Sequence, residues 1–187
     1  MTAMAMAESD TAPDGQLAAR ARDGDRAAFA ALVERHYDFI FRVAFRLCGH
    51  RAEAEDIAHE VCVRLGRAIA GYRGGAAFTT WLYAIVLNAA RDARRRSERE
   101  AARAQAFGLH AALAAAGNEA DDPADALWDA VRHLPDKQRE AVTLVYGEGL
   151  SHAQAADVMA VSETTVSWHV HEAKKRLKAL LRPVEEQ

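Results

Sequence analysis

The chain has 187 residues and a formal net charge of −3, which argues against a protein that coats nucleic acid without specificity. Half of the residues are hydrophobic, enough for a core, yet no apolar run approaches the roughly 18 residues that a membrane-spanning helix needs. Cys48 and Cys62 do not make a disulfide framework, and so few cysteines are typical of a reduced, cytoplasmic protein. Residues 1–16 are polar and acidic, unlike a signal peptide, and we expect them to be disordered.

Helical spacing of apolar residues predicts three helices in the first part of the chain. The first helix begins near Phe29 and ends at Gly49, and the second covers about residues 52–71. The third begins near Phe78 and runs into a cluster of arginines. Paired glycines between the last two helices predict a loop at residues 72–77.

Composition changes after the third helix. Residues 98–123 are rich in alanine and then acidic, which predicts a linker that is partly helical at most. Leu127, Val131 and Leu134 begin a second apolar pattern, and Pro135 suits the first position of the next helix. The core face of that helix carries Ala141, Val142, Leu144 and Val145. The sequence therefore predicts an all-α fold of two small helical domains, spanning residues 17–97 and 124–187.

The last two predicted helices have the caps of a helix-turn-helix motif. Ser151 and Gln154 have the spacing of a capping box, and Ser162 is a second N-cap followed by an acid. Between the helices, residues 160–161 form a tight connection. The buried stripe of the second helix is Val166, Val170, Ala173, Leu177 and Leu180. Its opposite face is polar towards the N-terminal end of the helix and basic towards the C-terminal end, which indicates DNA binding. The alternative is an amphipathic helix with a solvated basic face.

Charge is unevenly placed along the chain. Residues 91–103 contain six arginines against three acids, and residues 167–182 contain five basic residues against one acid. Residues 117–129 hold five acids and no base. This pattern predicts two nucleic-acid contacts, joined by a segment that avoids the duplex.

The first basic stretch follows aromatic residues. Arginines supply phosphate contacts, and aromatic rings supply faces on which unpaired bases stack. Tyr72, beside the glycines of the loop, is the better stacking candidate, whereas Trp81 is the better candidate for the core. The alternative is a solvated helix end with no ligand.

No metal, cofactor or catalytic site is predicted. Cys48, His50, His59 and Cys62 do not have a usual zinc-ligand spacing, and both cysteines lie where helices need small apolar residues. The sequence contains no glycine-rich phosphate loop and no nucleophile elbow. The acids near residue 56 alternate with arginines on one helix, which favours a protein-docking or solvated face over acid–base catalysis.

The sequence resembles a known family in two stretches. The first part resembles region 2 of the extracytoplasmic-function (ECF) sigma factors of bacterial RNA polymerase, through AEAEDIAHEVCVRLGRAI and FTTWLYAIVLNAARDARRR. The second part resembles their region 4, through LPDKQREAVTLVYGEGLSHAQAADVMAVSETTVSWHVHEAKKRLKALL. The resemblance covers residues 26–97 and 127–182 in the order of the family. It implies core RNA polymerase and promoter DNA as partners, and an anti-sigma factor as regulator.

The resemblance also implies roles for groups of residues. The residues that would dock on the coiled coil of the largest polymerase subunit are Asp56, Glu60, Arg64 and Arg67. The residues that would bind the minus-ten box are Tyr72, Arg73, Asn88, Arg91, Arg94, Arg95 and Arg96. Of these, the loop and Asn88 would capture a flipped base and the α-helical arginines would hold phosphates. The residues that would bind the minus-thirty-five box are Thr164, Thr165, Ser167, Trp168, His169, His171, Glu172, Lys174, Lys175 and Arg176.

Two positions depart from the family. Gly66 stands where the family often has a bulky residue, and SWHVHE at residues 167–172 replaces the usual basic pattern of the recognition helix. The leading hypothesis is a promoter-specificity subunit without catalytic activity. The alternative is a stand-alone helix-turn-helix regulator, and a nucleic-acid hydrolase comes third for want of a catalytic constellation.

Overall fold

The computed structural model describes residues 12–75, 77–106 and 123–181, and the regular structure within these ranges is entirely helical. The helices are α1 (Asp14–Arg22), α2 (Arg26–Cys48), α3 (Arg51–Ala68), α4 (Phe78–Ala106), α5 (Pro123–Arg132), α6 (Asp136–Val142), α7 (His152–Met159) and α8 (Glu163–Leu180). A 3-10 turn, Ile69–Gly71, extends α3, and a π-helical turn, Thr143–Gly147, extends α6. We call residues 12–106 the first half and residues 123–181 the second half. The predicted all-α class is confirmed.

Helix α1 begins earlier than the sequence indicated. Disorder was expected as far as residue 16, yet the helix starts at Asp14, and Leu17 is fully buried. The Asp14 carboxylate accepts a hydrogen bond from Arg35, at 2.7 Å, and lies 3.0 Å from the Nε2 atom of His36. These two partners on α2 hold the N-terminus of α1 against the rest of the first half. Residues 1–11 lie outside the described part of the chain.

The core of the first half is formed by α2, α3 and α4, which pack against one another. Asp25 caps α2 by accepting hydrogen bonds from the backbone N–H groups of Ala27 and Ala28. Gly49 ends α2 with a φ of 83°, in the left-handed region that glycine adopts without strain. The predicted end of this helix is therefore confirmed. The largest fully buried side chains in the first half are Leu17, Leu32, Ile40, Leu65, Leu82 and Leu87.

Helix α4 is longer than expected. It continues to Ala106, well into residues 98–123, which the sequence indicated as a linker that is partly helical at most. The rest of that expected linker, residues 107–122, lies outside the described ranges. No helix in those ranges is long and apolar enough to cross a bilayer.

The second half has a small core of its own between α5, α6 and α8. Val131 and Leu134 pack there with Val142, as their spacing predicted. Leu127 and Leu180 were expected in the core, but both are exposed. Leu180 is the last residue of α8, beyond the side chains that the neighbouring helices cover, whereas Leu127 lies in the middle of α5 with its side chain towards solvent. Pro135 occupies the N-cap of α6, one residue before the expected position.

Helices α7 and α8 form the predicted helix-turn-helix. Ser151 and Gln154 make both hydrogen bonds of the capping box, and Ser162 caps α8 by accepting from the N–H of Thr165. Ala160 makes the turn with a φ of 56°, a conformation that is unusual for a residue other than glycine. The apolar face of α7 joins the core of the first half and packs against α4, so the two halves are in contact.

Replacing Gly66 with alanine should stabilise the protein. Gly66 lies in α3, where a Cβ atom would stand 3.5 Å from the Cζ atom of Phe29, an ordinary van der Waals distance. Because helical glycine loses more backbone entropy than alanine, we expect the free energy of unfolding to rise by about 0.5–1 kcal/mol. Urea denaturation monitored by circular dichroism measures the change.

Gly49→Ala is the matched control for that experiment. Its positive φ strains any side chain, and an added Cβ would overlap the side chain of Arg132. We expect the free energy of unfolding to fall by about 1 kcal/mol or more. Destabilisation by both substitutions would contradict the assignment of Gly66 to an unstrained helical position.

Candidate functional site

The loop before α4 buries the aromatic residue that was expected to be available for stacking. Tyr72 is only 8% exposed, and its ring centroid lies 5.6 Å from that of Phe78 and 5.1 Å from that of Trp81. Trp81 is the more accessible of the pair, being half-buried. Tyr72 is therefore the more buried ring and Trp81 the more accessible one, which is the reverse of the expectation. The reason is that Tyr72 fills the space between the loop and the start of α4.

Several of the expected strand-binding groups are accessible. Asn88 is exposed on α4, where its Oδ1 atom accepts a hydrogen bond from Arg91 at 3.2 Å. Arg73 in the loop is exposed, as are Arg95 and Arg96 on the later turns of α4. These groups are open to solvent, although Arg95 also donates to Asp92 on its own helix at 2.8 Å.

Arg91 is not accessible in the same way, because it is paired with the second half. Its Nε and Nη2 atoms each donate to one carboxylate oxygen of Glu140 on α6, both at 2.7 Å. The Glu140 side chain is only 5% exposed. Burial alone would raise the pKa of Glu140, but the hydrogen bonds and charge of Arg91 hold that pKa below its usual range. The same pair raises the pKa of Arg91.

Arg94 is also paired. It forms ion pairs with Glu98 on its own helix, at 2.8 Å, and with Asp136 at the start of α6. The sequence indicated that Arg91 and Arg94 face a DNA strand, whereas here they face acids of the second half. The physical reason is the packing of α7 on α4, which brings the N-terminus of α6 alongside the arginines.

A second contact between the halves centres on Glu148, whose side chain is 3% exposed. It accepts hydrogen bonds from Arg42, at 3.3 Å, from Arg46, and from the hydroxyl of Tyr83, at 3.0 Å. Burial and the negative charge of Glu148 together raise the pKa of Tyr83. All of these partners belong to the first half.

Sequence reasoning missed both Glu140 and Glu148, because each looks like an ordinary exposed acid of a helix or turn. A signal does exist for Glu148, which lies between two glycines. A Cβ atom on Gly147 would meet the Trp128 ring at 2.8 Å, and Gly149 has a φ of 71°. The two glycines therefore mark a tight turn, in which Gly147 lies close to its neighbours and Gly149 supplies the left-handed backbone.

The expected polymerase-docking face on α3 is mostly exposed. Asp56, Glu60 and Arg67 face solvent, while Arg64 is partly covered. The hydrogen bond from Arg64 to Glu60, at 2.7 Å, holds the pKa of that carboxyl below its usual range. Arg64 also donates to Asp92 on α4 at 2.8 Å. Arg64 thus ties α3 to α4, and the other three side chains are available to a partner.

The recognition helix α8 presents most of the expected groups to solvent. The exposed ones are Thr164, Trp168, His171, Lys174, Lys175 and Arg176, and the half-buried ones are Thr165, Ser167, His169 and Glu172. Trp168 is 57% exposed, so its ring does not pack as part of the core. The front of the helix therefore offers a large apolar ring beside hydroxyl, imidazole and carboxylate groups.

Three side chains of α8 already contact other protein groups, and a fourth, His169, is half-buried. Ser167 lies 2.8 Å from Nδ1 of His152 on α7, and the hydroxyls of Thr165 and Ser162 are 2.7 Å apart. The Lys174 amine stands 4.8 Å from the ring centroid of Tyr146. The Nδ1 atom of His169 is buried without a hydrogen-bond partner among the described residues, and desolvation, with the charge of Lys137, lowers the pKa of His169. His169 was expected to meet DNA, and its half-buried ring is less accessible than the exposed side chains of the same helix.

Within the described ranges, no three His, Cys, Asp or Glu residues are grouped as metal ligands would be. Cys48 and Cys62 are both free thiols, and burial raises the pKa of each, to about 11 for Cys48. Neither thiol is therefore poised as a nucleophile at neutral pH.

Comparison with known proteins identifies both halves of the chain. Residues 32–100 match the family model of sigma-70 region 2, and residues 124–177 match that of sigma-70 region 4. The fold is similar to that of CnrH, solved with the cytosolic domain of CnrY, with a TM-score of 0.66 and 26% identity over 90% of this chain and 96% of that one. It also matches RpoE of Bartonella quintana, solved with the anti-sigma factor NepR, with a TM-score of 0.68 and 22% identity over 84% and 98%.

Curated relatives agree with these matches. The RNA polymerase sigma-H factor of Pseudomonas aeruginosa is 33% identical over 91% of this chain and 95% of its own length. The ECF RNA polymerase sigma factor SigM of Mycobacterium tuberculosis is 34% identical over 90% and 84%, respectively. SigW of Bacillus subtilis, also an ECF sigma factor, is 28% identical over 86% and 92%. The resemblance noted in the sequence is confirmed: this chain belongs to the ECF group of the sigma-70 family, whose members are transcription initiation factors.

Proposed function

We propose that this chain binds core RNA polymerase, recognises and melts promoters, and thereby directs transcription initiation without catalytic activity of its own. The observation that carries the proposal is that regions 2 and 4 of the sigma-70 family lie in order in one chain. A stand-alone helix-turn-helix regulator would need only the second of these regions. Because its partners would be RNA polymerase and promoter DNA, we assign its action to the cytoplasm.

Opening of the minus-ten box is assigned to the loop before α4 and to α4 itself. We assign the phosphates of the unpaired strand to Arg73, Arg95 and Arg96, with Arg91 and Arg94 joining them, and one flipped base to Asn88. Unstacking a base costs a few kcal/mol, and a pocket that holds the flipped base offsets that cost. Tyr72 lies beneath the loop and fixes its shape, so a stacking role would require it to leave Phe78.

Recognition of the minus-thirty-five box is assigned to the exposed front of α8. The Glu172 carboxylate can accept a hydrogen bond from a cytosine amino group, and the edge of Trp168 can contact a thymine methyl. Thr164, Thr165 and His171 lie on the part of the helix that would meet base edges. Ser167 would act with His152 to orient the helix, and the basic residues Lys174, Lys175 and Arg176 would hold phosphates.

Docking on core polymerase is assigned to α3, through Asp56, Glu60 and Arg67, with Arg64 holding the face in place. Control by an anti-sigma factor is part of the proposal as well. It is supported by the shared fold with RpoE of Bartonella quintana, which was solved in complex with the anti-sigma factor NepR.

Run-off transcription with core polymerase and a promoter library tests the function directly. We expect core polymerase alone to give no promoter-specific transcripts and the addition of this chain to give discrete starts. A chain that acts only when another sigma factor is present would be a stand-alone regulator. Metal-dependent cleavage of nucleic acid by the pure protein would instead support a hydrolase.

Phosphate contacts and base contacts should respond differently to substitution. Arg95→Ala with Arg96→Ala should weaken open-complex formation on all promoters alike. The slope of log K against log salt should fall by about 0.7 for each single-strand phosphate that no longer meets an arginine. Arg99→Ala with Arg103→Ala, which removes the same charge further along α4, should change the slope less. Equal effects of the two pairs would show a general charge effect instead.

Asn88→Ala should change base preference at one position of the minus-ten box, because a base contact carries sequence information. Initiation from promoters that differ at single minus-ten positions measures this preference. A uniform loss across all of them would remove Asn88 from the base-reading role.

In the recognition helix, Glu172→Ala should relax selectivity at one minus-thirty-five position, costing about 1–3 kcal/mol with the preferred base. Lys175→Ala, on the same helix, should lower affinity for all sequences. Binding-site selection with each variant measures both effects. Recovery of an unchanged consensus by Glu172→Ala, with weaker binding only, would contradict its assignment.

Reversing the charge of the α3 acids should abolish binding to core polymerase. Asp56→Lys with Glu60→Lys changes two exposed side chains, so we expect the free energy of unfolding to change by only about 0.5 kcal/mol. Asp23→Lys with Glu34→Lys, exposed acids elsewhere in the first half, is the control and should bind normally. Pull-down with core polymerase decides between them, and a docking variant that is still captured would exclude this face.

A further inference from the structure

We propose that the second half masks the strand-binding arginines of the first, so that the free chain is closed and the arginines engage DNA only after the halves separate. The inference rests on the proposed function, since it takes Arg91 and Arg94 as contacts to the unpaired strand. It adds an acidic docking surface on the second half, made of Asp136, Glu140 and Glu148, whose partner is the first half of the same chain.

Glu140 occupies Arg91 as a phosphate would. Two parallel N–H donors of the guanidinium reach its two carboxylate oxygens at 2.7 Å, which is the bidentate arrangement that arginine also makes with phosphate. The same donors cannot serve a phosphate at the same time. Contact of Arg91 with a DNA strand therefore requires that Glu140 withdraw.

Asp136 masks the neighbouring arginine, Arg94, and is itself held in position by its own helix. Arg139, one turn further along α6, donates to Asp136 at 2.9 Å. Asp136 and Glu140 lie four residues apart on α6, and Arg91 and Arg94 lie three apart on α4. Either spacing is about one helical turn and places both side chains on one face, so the two ion pairs share one interface. Both arginines are consequently released or covered together.

Glu148 anchors the closed arrangement away from the strand-binding residues. Its side chain is nearly excluded from water, and its hydrogen-bonding partners are Arg42, Arg46 and Tyr83 of the first half. Arg46 also donates to the backbone carbonyl of Gly147 and lies 5.0 Å from the Trp128 ring centroid. A buried carboxylate without these partners would carry an uncompensated desolvation cost, so Glu148 selects this one docking position.

The closed state is reversible on physical grounds. Separation returns three carboxylates and their arginines to water, which recovers much of the desolvation cost of the buried pairs. Phosphates then replace the carboxylates on Arg91 and Arg94, an exchange between anions of similar geometry. The apolar contact between α4 and α7 also opposes opening, so removal of one ion pair shifts the balance without abolishing the closed state.

Binding of mixed-sequence, fluorescently labelled single-stranded DNA of about 20 nucleotides tests the mask on the full chain. The test variant is Glu140→Gln with Glu148→Gln, and the control is Glu98→Gln with Glu100→Gln. Both remove two acids, but the control acids are exposed on α4, and Glu98 pairs with Arg94 within that helix. Apparent affinity scales with the fraction of molecules that are open. If wild type is open about a tenth of the time and the test variant is open throughout, the variant should bind the DNA about tenfold more tightly than wild type.

Small-angle scattering of the same proteins measures closure independently of DNA. We expect a larger radius of gyration for the test variant and an unchanged radius for the control. Binding within about twofold of the control, or an unchanged radius of gyration, would overturn the proposal.

Arg46→Gln separates masking from general electrostatics and serves if the double variant does not fold. Its side chain pairs with Glu148 and Gly147 of the second half and is not among the strand-binding residues. Removal of a positive charge should weaken DNA binding by simple electrostatics, whereas loss of the anchor should strengthen it. Tighter binding supports the mask, and weaker binding overturns it.

Run-off transcription keeps this inference distinct from the proposed function. A double variant that directs initiation but binds single strands no better than wild type would overturn the mask and leave the function standing. Failure of wild type and all variants to direct initiation would overturn the proposed function. The masked arginines could then no longer be interpreted as promoter contacts.

Discussion

Pairing of arginines on the first half with carboxylates on the second half is the interaction on which the arrangement of the molecule depends. Ion pairs with a buried carboxylate add little net stability, but removing the arginine from such a carboxylate is costly. Contact between α4 and α7 supplies apolar burial, which many relative positions of two helices could satisfy. Glu140 and Glu148 restrict that choice, because each is satisfied only where its arginines meet it.

Local signals in the sequence were sufficient for the elements and insufficient for the interface. Gly49, Ser151 and Ser162 end or begin helices through groups within a few residues of themselves, so their roles were predictable. Arg91 and its partner are 49 residues apart, and Arg46 and Glu148 are 102 apart. No spacing rule links such positions, and without their partners the acids resemble solvated side chains. The sequence thus indicated candidate site residues, which stay a prediction, but not the contacts between the halves.

Burial explains the remaining differences between expectation and structure. Aromatic residues in a glycine-rich loop look available, yet Tyr72 fills the gap between the loop and α4. Apolar spacing at a helix end continues past the point where neighbours cover it, which accounts for Leu180. His169 and Trp168 are adjacent on α8, yet His169 is half-buried and Trp168 is largely exposed. The departure of residues 167–172 from the family's usual basic pattern therefore affects both a half-buried position and the exposed surface of α8.

Helix α4 also has a mechanical consequence. Its 29 residues form one continuous helix, about 43 Å long at 1.5 Å per residue. Asn88, the arginines at positions 91 and 94–96, and Ala106, where the first half ends, all lie on this single helix. Tension applied to the chain beyond Ala106 is therefore transmitted along the helix axis to the arginines.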